Sequence, residues 1–263
     1  MPLIEIAHHA GIAHVRLNRP DKRNALSFEL LRELHATARQ LSRDRTLRGV
    51  ILSGAGESFC AGIDLAELGN ARNRWFAFWE LLKPGQSLFQ RACLTWQELP
   101  VPVLAAVHGH CFGAGLQLAL AADLRIARPD CQLSIMEARW GLVPDMGLTR
   151  SLRGLVGPDM ARELTYSARI ISGDDAHALG LVSHVADDPL AAAATLAAEF
   201  AERSPDALLA AKRVLDAMTC ATPRRSLALE KRWQLKLLLG RNFRIAGRRV
   251  KQPELEYAPR QYG

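Results

Sequence analysis

The stretch HGHCFGAGLQLALAAD, residues 108–123, joins two apolar runs, PVPVLAAVHG (100–109) and DLRIA (123–127). The flanking runs read as buried strands and LQLALAAD as an apolar helix. Strand, helix and returning strand in this order indicate a parallel β connection. The small residues Gly109, Gly113, Ala114 and Gly115 fall where strand gives way to helix. Without side chains there, backbone N–H groups can come close to a ligand, and a helix start presents unpaired donors with partial positive charge. A second such turn, FCAGIDL (59–65), lies upstream. Two of them facing each other would polarise a carbonyl and hold the negative charge developing on its oxygen. Neither fits the spacing of a dinucleotide-binding or P-loop glycine motif.

Outward from these turns the pattern is of one α/β domain. LIEIAHH (3–9) and GIAHVRLN (11–18) alternate about a glycine and predict a hairpin. Ser27 is placed to cap FELLRELHATARQLS, in which Leu30, Leu31, Leu34 and Leu41 recur at helical spacing, and LRGVILSG (47–54) reads as a buried strand. A helical region follows over roughly 66–98, with Trp75, Phe76, Phe78, Trp79, Phe89 and Trp96, which suit either core packing or a pocket lining. Beyond Pro158 helices dominate, near 158–166, 174–179, 188–203, 205–218 and 223–246, with one strand at LVSHV (181–185). The last of these have too little cover of their own and are expected to pack on a neighbour.

Bulk properties exclude several classes. The 263 residues suit one core with an appended element, and 49% of them are hydrophobic. No apolar run approaches the roughly 18 residues of a membrane span, and the N-terminal residues lack a signal-peptide layout; a soluble, cytoplasmic protein is expected. Five cysteines with no CxxC pair argue against a disulfide framework or zinc cluster and are expected to be reduced and buried. His108 and His110 flank Gly109 without a third ligand, so no metal is expected. The net charge of +7 is concentrated between Thr222 and Lys251, where ten basic residues face Glu230 alone. Such a segment suits subunit contacts or cofactor phosphates; nucleic acid is the weaker alternative, since no nucleic-acid-binding motif accompanies it.

A third stretch, SIMEARWGLVPDMG (134–147), sets Glu137 and Asp145 eight positions apart among apolar residues. Taken alone they read as a salt bridge to Arg139 and a cap for a short helix starting near Met146. If the segment is extended, alternation sends Arg139 to the side of Glu137 and Trp140 to the other.

The ordered set NRPDKRNALS, SFCAGIDL, AAVHGHCFGAGLQLALAADLRIA and SIMEARWGLVPDMGLTRSL resembles the crotonase superfamily, the enoyl-CoA hydratase/isomerase family, over nearly the whole chain. The resemblance implies an α/β fold, a crotonase-like spiral of ββα units over 1–188 with a C-terminal helical trimerisation region over 189–263. It implies a homotrimer or dimer of trimers acting on acyl-CoA, with no cofactor beyond the coenzyme A of the substrate. By motif position, the N–H groups of Ala61 and Ala114 would form the oxyanion hole, and Lys22, Arg23, Ala25, Asp64 and Leu65 would line coenzyme A. Family hydratases use two glutamates; here the first position is Gln117, an amide that exchanges no proton near neutrality, and the second is Glu137. Asp145 falls where dienoyl-CoA isomerases of the superfamily carry an aspartate, although those usually have an acid at the position of Gln117 too. The implied reaction is double-bond migration in an enoyl- or dienoyl-CoA, with Glu137 and Asp145 moving the proton. The alternatives are a Δ3-to-Δ2 isomerase needing one base, a hydratase with an altered acid/base pair, and a CoA-thioester- or RNA-binding protein on the same scaffold.

Overall fold

A computed structural model describes residues 2–263, apart from the side chain of residue 68. The expected hairpin is present: β1 (Ile4–His9) and β2 (Ile12–Leu17) pair antiparallel. Ala10 and Gly11 both take positive φ, 49° and 78°, the tight-turn geometry whose twist matches the strands. Helix α1 (Phe28–Arg43) starts where Ser27 accepts the Leu30 N–H at 3.1 Å, and it buries Leu30, Leu31, Leu34, Ala38 and Leu41. Strand β3 (Gly49–Gly54) is buried along its whole length. The expected helical region near 66–98 divides into α2 (Leu65–Gly69), α3 (Ala71–Leu82) and α4 (Leu88–Gln97). Asn70 caps α3, and Pro84-Gly85 followed by the Ser87–Gln90 capping box separates α3 from α4. Of the aromatic cluster, Trp96 and Phe89 are buried, while Trp75, Phe78 and Trp79 are exposed.

The chain continues through β4 (Val103–Val107), β5 (His110–Phe112), α5 (Ala114–Leu120), β6 (Leu124–Ala127) and β7 (Gln132–Ser134). After a 3-10 turn at Glu137–Trp140 come α6 (Leu148–Ser151), α7 (Pro158–Ser167), β8 (Ile171–Ser172), α8 (Gly173–Ala178) and β9 (His184–Val185). Four helices end the chain: α9 (Pro189–Ala201), α10 (Pro205–Cys220), α11 (Pro223–Leu239) and α12 (Arg241–Arg249). The helix expected over 223–246 thus breaks at Gly240, which takes extended backbone (φ −76°, ψ 154°). The strand expected at 181–185 shortens to two residues.

The larger sheet runs β1-β2-β3-β4-β6-β9, parallel except for the first pair, and the smaller runs β5-β7-β8. Each crossover places a strand of one sheet or a helix between parallel neighbours of the other, the spiral expected of the fold. Helix α9 buries Ala193 and Ala197 on Ile51, Leu104, Ala106 and Ile126 of the larger sheet, so it is part of the core. Helix α11, by contrast, buries no residue, and Leu227, Leu235, Leu239 and Phe243 of the last two helices are exposed. Among the described residues no helix is long and apolar enough to cross a membrane. Cys60, Cys93, Cys111 and Cys131 are buried thiols, as expected; Cys220 departs from the expectation and is exposed, at the end of α10.

The loop before α1 is held by a fully buried amide. Asn24 (φ 56°) donates through Nδ2 to the carbonyls of Ala55 and Ser58 at 2.9 and 2.7 Å and accepts the Arg19 N–H at 2.9 Å. Asn24→Ala leaves those buried groups unpaired, at about 1–3 kcal/mol for an unsatisfied group. We expect a loss of at least ~2 kcal/mol in urea unfolding; a change below ~0.5 kcal/mol would show that the loop is held otherwise.

Candidate functional site

The two glycine-rich turns lie side by side because their strands pair backbone to backbone. Phe59 N–H donates to His108 C=O at 2.8 Å, Cys60 N–H to His110 C=O at 3.0 Å, and Phe112 N–H to Cys60 C=O at 3.0 Å. His108 and His110 reinforce the pairing by contacts to Gly56 C=O (3.0 Å) and Ser58 Oγ (2.9 Å). The approach leaves no room for side chains. A Cβ on Gly115 would lie 2.4 Å from Cys60 C=O, and one on Gly62 would lie 3.0 Å from Phe112 C=O and 3.8 Å from Ala114 N.

Above this junction opens a cavity of about 280 Å³. Ala61, Gly62, Ile63 and Leu65 line it from the first turn, Phe112, Gly113, Ala114 and Gln117 from the second, and Met136, Glu137, Asp145 and Met146 from the later loop. Ala77 and Leu81 of α3 and Phe89 of α4 close the apolar side. Six residues singled out in the sequence therefore meet: Ala61, Leu65, Ala114, Gln117, Glu137 and Asp145. Lys22, Arg23, Ala25 and Asp64 do not line the cavity. Lys22 and Arg23 are exposed at a 3-10 turn, Pro20–Lys22, and Ala25 C=O accepts from Arg19. Asp64 pairs with Arg19 at 3.0 Å and caps α2 through Ala66 N–H at 3.2 Å.

The assignment of Ala61 as a donor to the cavity needs correction. Its N–H donates to Arg23 C=O at 2.9 Å and is already used. Leu26 N–H donates to Gly62 C=O, and Asp64 N–H donates to Leu26 C=O, which turns those groups towards Leu26. The Ile63 N–H between them points the opposite way, as alternation along an extended chain requires. Neither Ile63 nor Ala114 has a partner for its N–H among the described residues. Sequence reasoning missed Ile63 because the motif alone does not reveal which amide the neighbouring loop consumes.

Glu137 opens the 3-10 turn, so of the extended and turning conformations open to its segment the turning one is present. Residues three apart eclipse in such a turn, which brings Trp140 onto the cavity with Glu137, while Arg139 is exposed. Among the described residues no ion pair joins Glu137 to Arg139. Nor does Asp145 cap a helix: α6 begins at Leu148 after Gly147 (φ 97°), with no side-chain cap.

Gln117 is 2% exposed and bridges the loop to α5. Its Nε2 donates to Glu137 Oε1 at 2.7 Å and its Oε1 accepts the Met146 N–H at 2.9 Å. Glu137 Oε2 is buried without a partner. Burial pushes the Glu137 carboxyl above its ordinary range; the hydrogen bonds from its own backbone N–H and from Gln117 oppose this, and the nearby Asp145 adds to it. Burial likewise raises Asp145. Gly113 (φ 48°) admits Glu137 to this place, since a Cβ there would sit 3.2 Å from Oε1. Among the described residues no three ligating side chains converge on a metal position.

An α/β spiral with a carboxylate-bearing cleft between two glycine-rich turns has known relatives. The family described as enoyl-CoA hydratase/isomerase matches residues 7–247. The mitochondrial Delta(3,5)-Delta(2,4)-dienoyl-CoA isomerase of Mus musculus is 37% identical over 215 residues, covering 76% of this chain. The chain spans 64% of that relative's length. An enoyl-CoA hydratase from Bacillus anthracis superposes with a TM-score of 0.87 at 29% identity, over 98% of each chain. A Thermobifida fusca YX chain solved in complex with CoA does so with 0.80 at 30% identity, over 90% of this chain and 93% of its own. The chain belongs to the enoyl-CoA hydratase/isomerase family, the crotonase superfamily.

Each raised carboxyl contributes stability that falls as pH rises. Below roughly pH 4, the ordinary carboxylate range, folded and unfolded chains are both protonated. As pH rises, the unfolded chain releases its protons first, and stability is lost until the folded groups have ionised too. Glu137→Gln removes one such group, so in urea unfolding the stability of the variant relative to the parent should rise between pH 4 and pH 7. Parallel curves would mean that Glu137 titrates as if in water.

Proposed function

We propose that this chain shifts double bonds in an enoyl- or dienoyl-CoA by proton transfer through an enolate. The observation that carries this reading is the convergence of two partly buried carboxyls, Glu137 and Asp145, with the unpartnered N–H groups of Ile63 and Ala114 on one apolar cavity. In the reaction envisaged, ionised Glu137 takes a proton from the carbon α or γ to the thioester carbonyl. The C–H electron pair moves into the conjugated system, and the negative charge settles on the carbonyl oxygen between the N–H groups of Ile63 and Ala114. Removing one donor from such a hole costs roughly 3 kcal/mol in other enzymes. Glu137 or Asp145 then returns a proton at another carbon, the double bond moves, and no water is consumed.

Hydration fits the site less well. It calls for an acid and a base converging on one water, and the group beside Glu137 is Gln117, whose two polar atoms already have partners. The dienoyl-CoA isomerase among the relatives and the CoA complex among the structural neighbours support the isomerase reading and the acyl-CoA substrate. Lys22 and Arg23, exposed near the first turn, are free to meet phosphate groups, and Leu65 lines the cavity. The exposed leucines of α11 and Phe243 of α12 suit burial in a homotrimer or dimer of trimers.

A panel of crotonyl-, 3-enoyl- and 3,5-dienoyl-CoA followed by absorbance tests the proposal. We expect isomerisation of an enoyl- or dienoyl-CoA, with kcat falling about 10²–10⁴-fold in Glu137→Gln, the range for a general acid–base group. The rate should rise with pH through the raised value of Glu137, because the base must be ionised. Faster hydration of crotonyl-CoA than any isomerisation would overturn the reaction; full activity in Glu137→Gln would overturn the assignment.

A further inference from the structure

Gln117 occupies the centre of the site and has no proton to exchange, yet it is almost completely buried and both its polar atoms are engaged. A backbone N–H can only donate, so the atom facing Met146 N–H must be the amide oxygen, Oε1. The NH₂ group therefore faces Glu137, where it can only donate. The orientation of the amide is thus fixed by the chain itself. Two consequences follow for the carboxylates. Glu137 Oε1 is held by a donor, while Oε2 remains unpartnered and buried. The same amide also ties the backbone next to Asp145 to the Glu137 turn, fixing one carboxyl-bearing segment relative to the other.

We propose that Gln117 is a positioning residue that holds Glu137 by a donor hydrogen bond on Oε1, leaves Oε2 as the proton-carrying atom and sets the placement of Asp145 relative to it. The role in catalysis rests on the isomerase reading; the effect on Glu137 does not. A carboxylate is stabilised by a donor that cannot itself ionise. The other titratable groups facing Glu137 are Asp145, on the same loop, and Cys93 of α4, whose thiol burial keeps protonated. Neither supplies a donor hydrogen bond to Glu137 among the described residues. Gln117 is then the only side chain of the described site that favours the charged form.

The test is a ¹³C NMR titration of the free protein labelled at glutamate carboxyls, with the Glu137 signal assigned by its loss in Glu137→Gln. In Gln117→Met, which keeps the volume and removes the donor, the Glu137 midpoint should move to higher pH. Its kcat should fall roughly 10²-fold, the scale for a displaced catalytic group, with KM changed less than about threefold. Gln117→Glu provides a second arm should the methionine variant fail to fold. Two carboxyls at that separation share a proton and titrate in two steps. The proposal is overturned if the midpoint in Gln117→Met equals that of the parent, or if Gln117→Glu leaves Glu137 titrating in a single, unmoved step. Absence of turnover on every enoyl-CoA would sink the isomerase reading while leaving the titration result to stand.

Discussion

The constraint on which the site depends is the backbone pairing of Cys60 with Cys111. Two hydrogen bonds, from Cys60 N–H to His110 C=O and from Phe112 N–H to Cys60 C=O, lock the end of one ββα turn against the next. The positions of the cavity's N–H groups are set from that junction. The helix start at Ala114 and the extended chain at Ile63 both leave it within three residues, so their free N–H groups are set by main-chain geometry rather than by side-chain rotamers. Gly62 and Gly115 permit the approach, because a Cβ on either would press on carbonyl oxygens across the junction. Such preorganised dipoles need no rearrangement when charge develops between them.

Against this rigid half of the site stands a half that is costly to maintain. Glu137 and Asp145 sit where burial disfavours their charge, and Glu137 Oε2 is buried with no partner. An isolated carboxylate in such surroundings tends to recover its proton. A base that stays protonated is idle, and one fully satisfied by hydrogen bonds is weak. The neutral side-chain donor of Gln117 on Oε1, beside the residue's own backbone N–H, lies between these limits. A second glutamate at position 117 would place two carboxyls at hydrogen-bond distance and oblige them to share a proton, which suits chemistry on a water molecule better than a proton shuttle between carbons.

Much of this was legible in the sequence, for reasons that are local. Glycine placement revealed both turns, since no other residue allows such close backbone approach. Leucine spacing revealed α1, and Ser27 its start. The carboxylates of Glu137 and Asp145 were found by their unusual apolar company and by family resemblance. What escaped depended on contacts between distant segments. Whether Ala61 or Ile63 presents its N–H is decided by Arg23 and Leu26, some forty residues upstream. The pairing of Asp64 with Arg19 likewise joins segments far apart in sequence. Trp140 was misplaced because a 3-10 turn and an extended chain assign opposite faces to residues three apart, and the local sequence does not choose between them.

The C-terminal residues show how the rest of the chain sustains this arrangement. Asp206, buried at the start of α10, accepts the N–H groups of Gln261 and Tyr262 and a hydrogen bond from Asn242 Nδ2 at 2.7 Å. Arg260, also buried, donates to the carbonyls of Ser42 and Asp44 at the end of α1. The last residues thus fasten α10 and α12 to the helix that begins beside the first glycine turn. Helix α1 carries Phe28, which packs on Phe76 of α3 and Phe89 of α4, with ring centroids 5.4 and 5.6 Å apart. Phe89 is itself a wall of the cavity. A path of packed and hydrogen-bonded groups therefore runs from Arg260 through α1 to the apolar wall of the cavity. Loosening of the terminus would be felt first where α3 and α4 meet the pocket, and least at the Cys60–Cys111 junction, which the sheet holds independently.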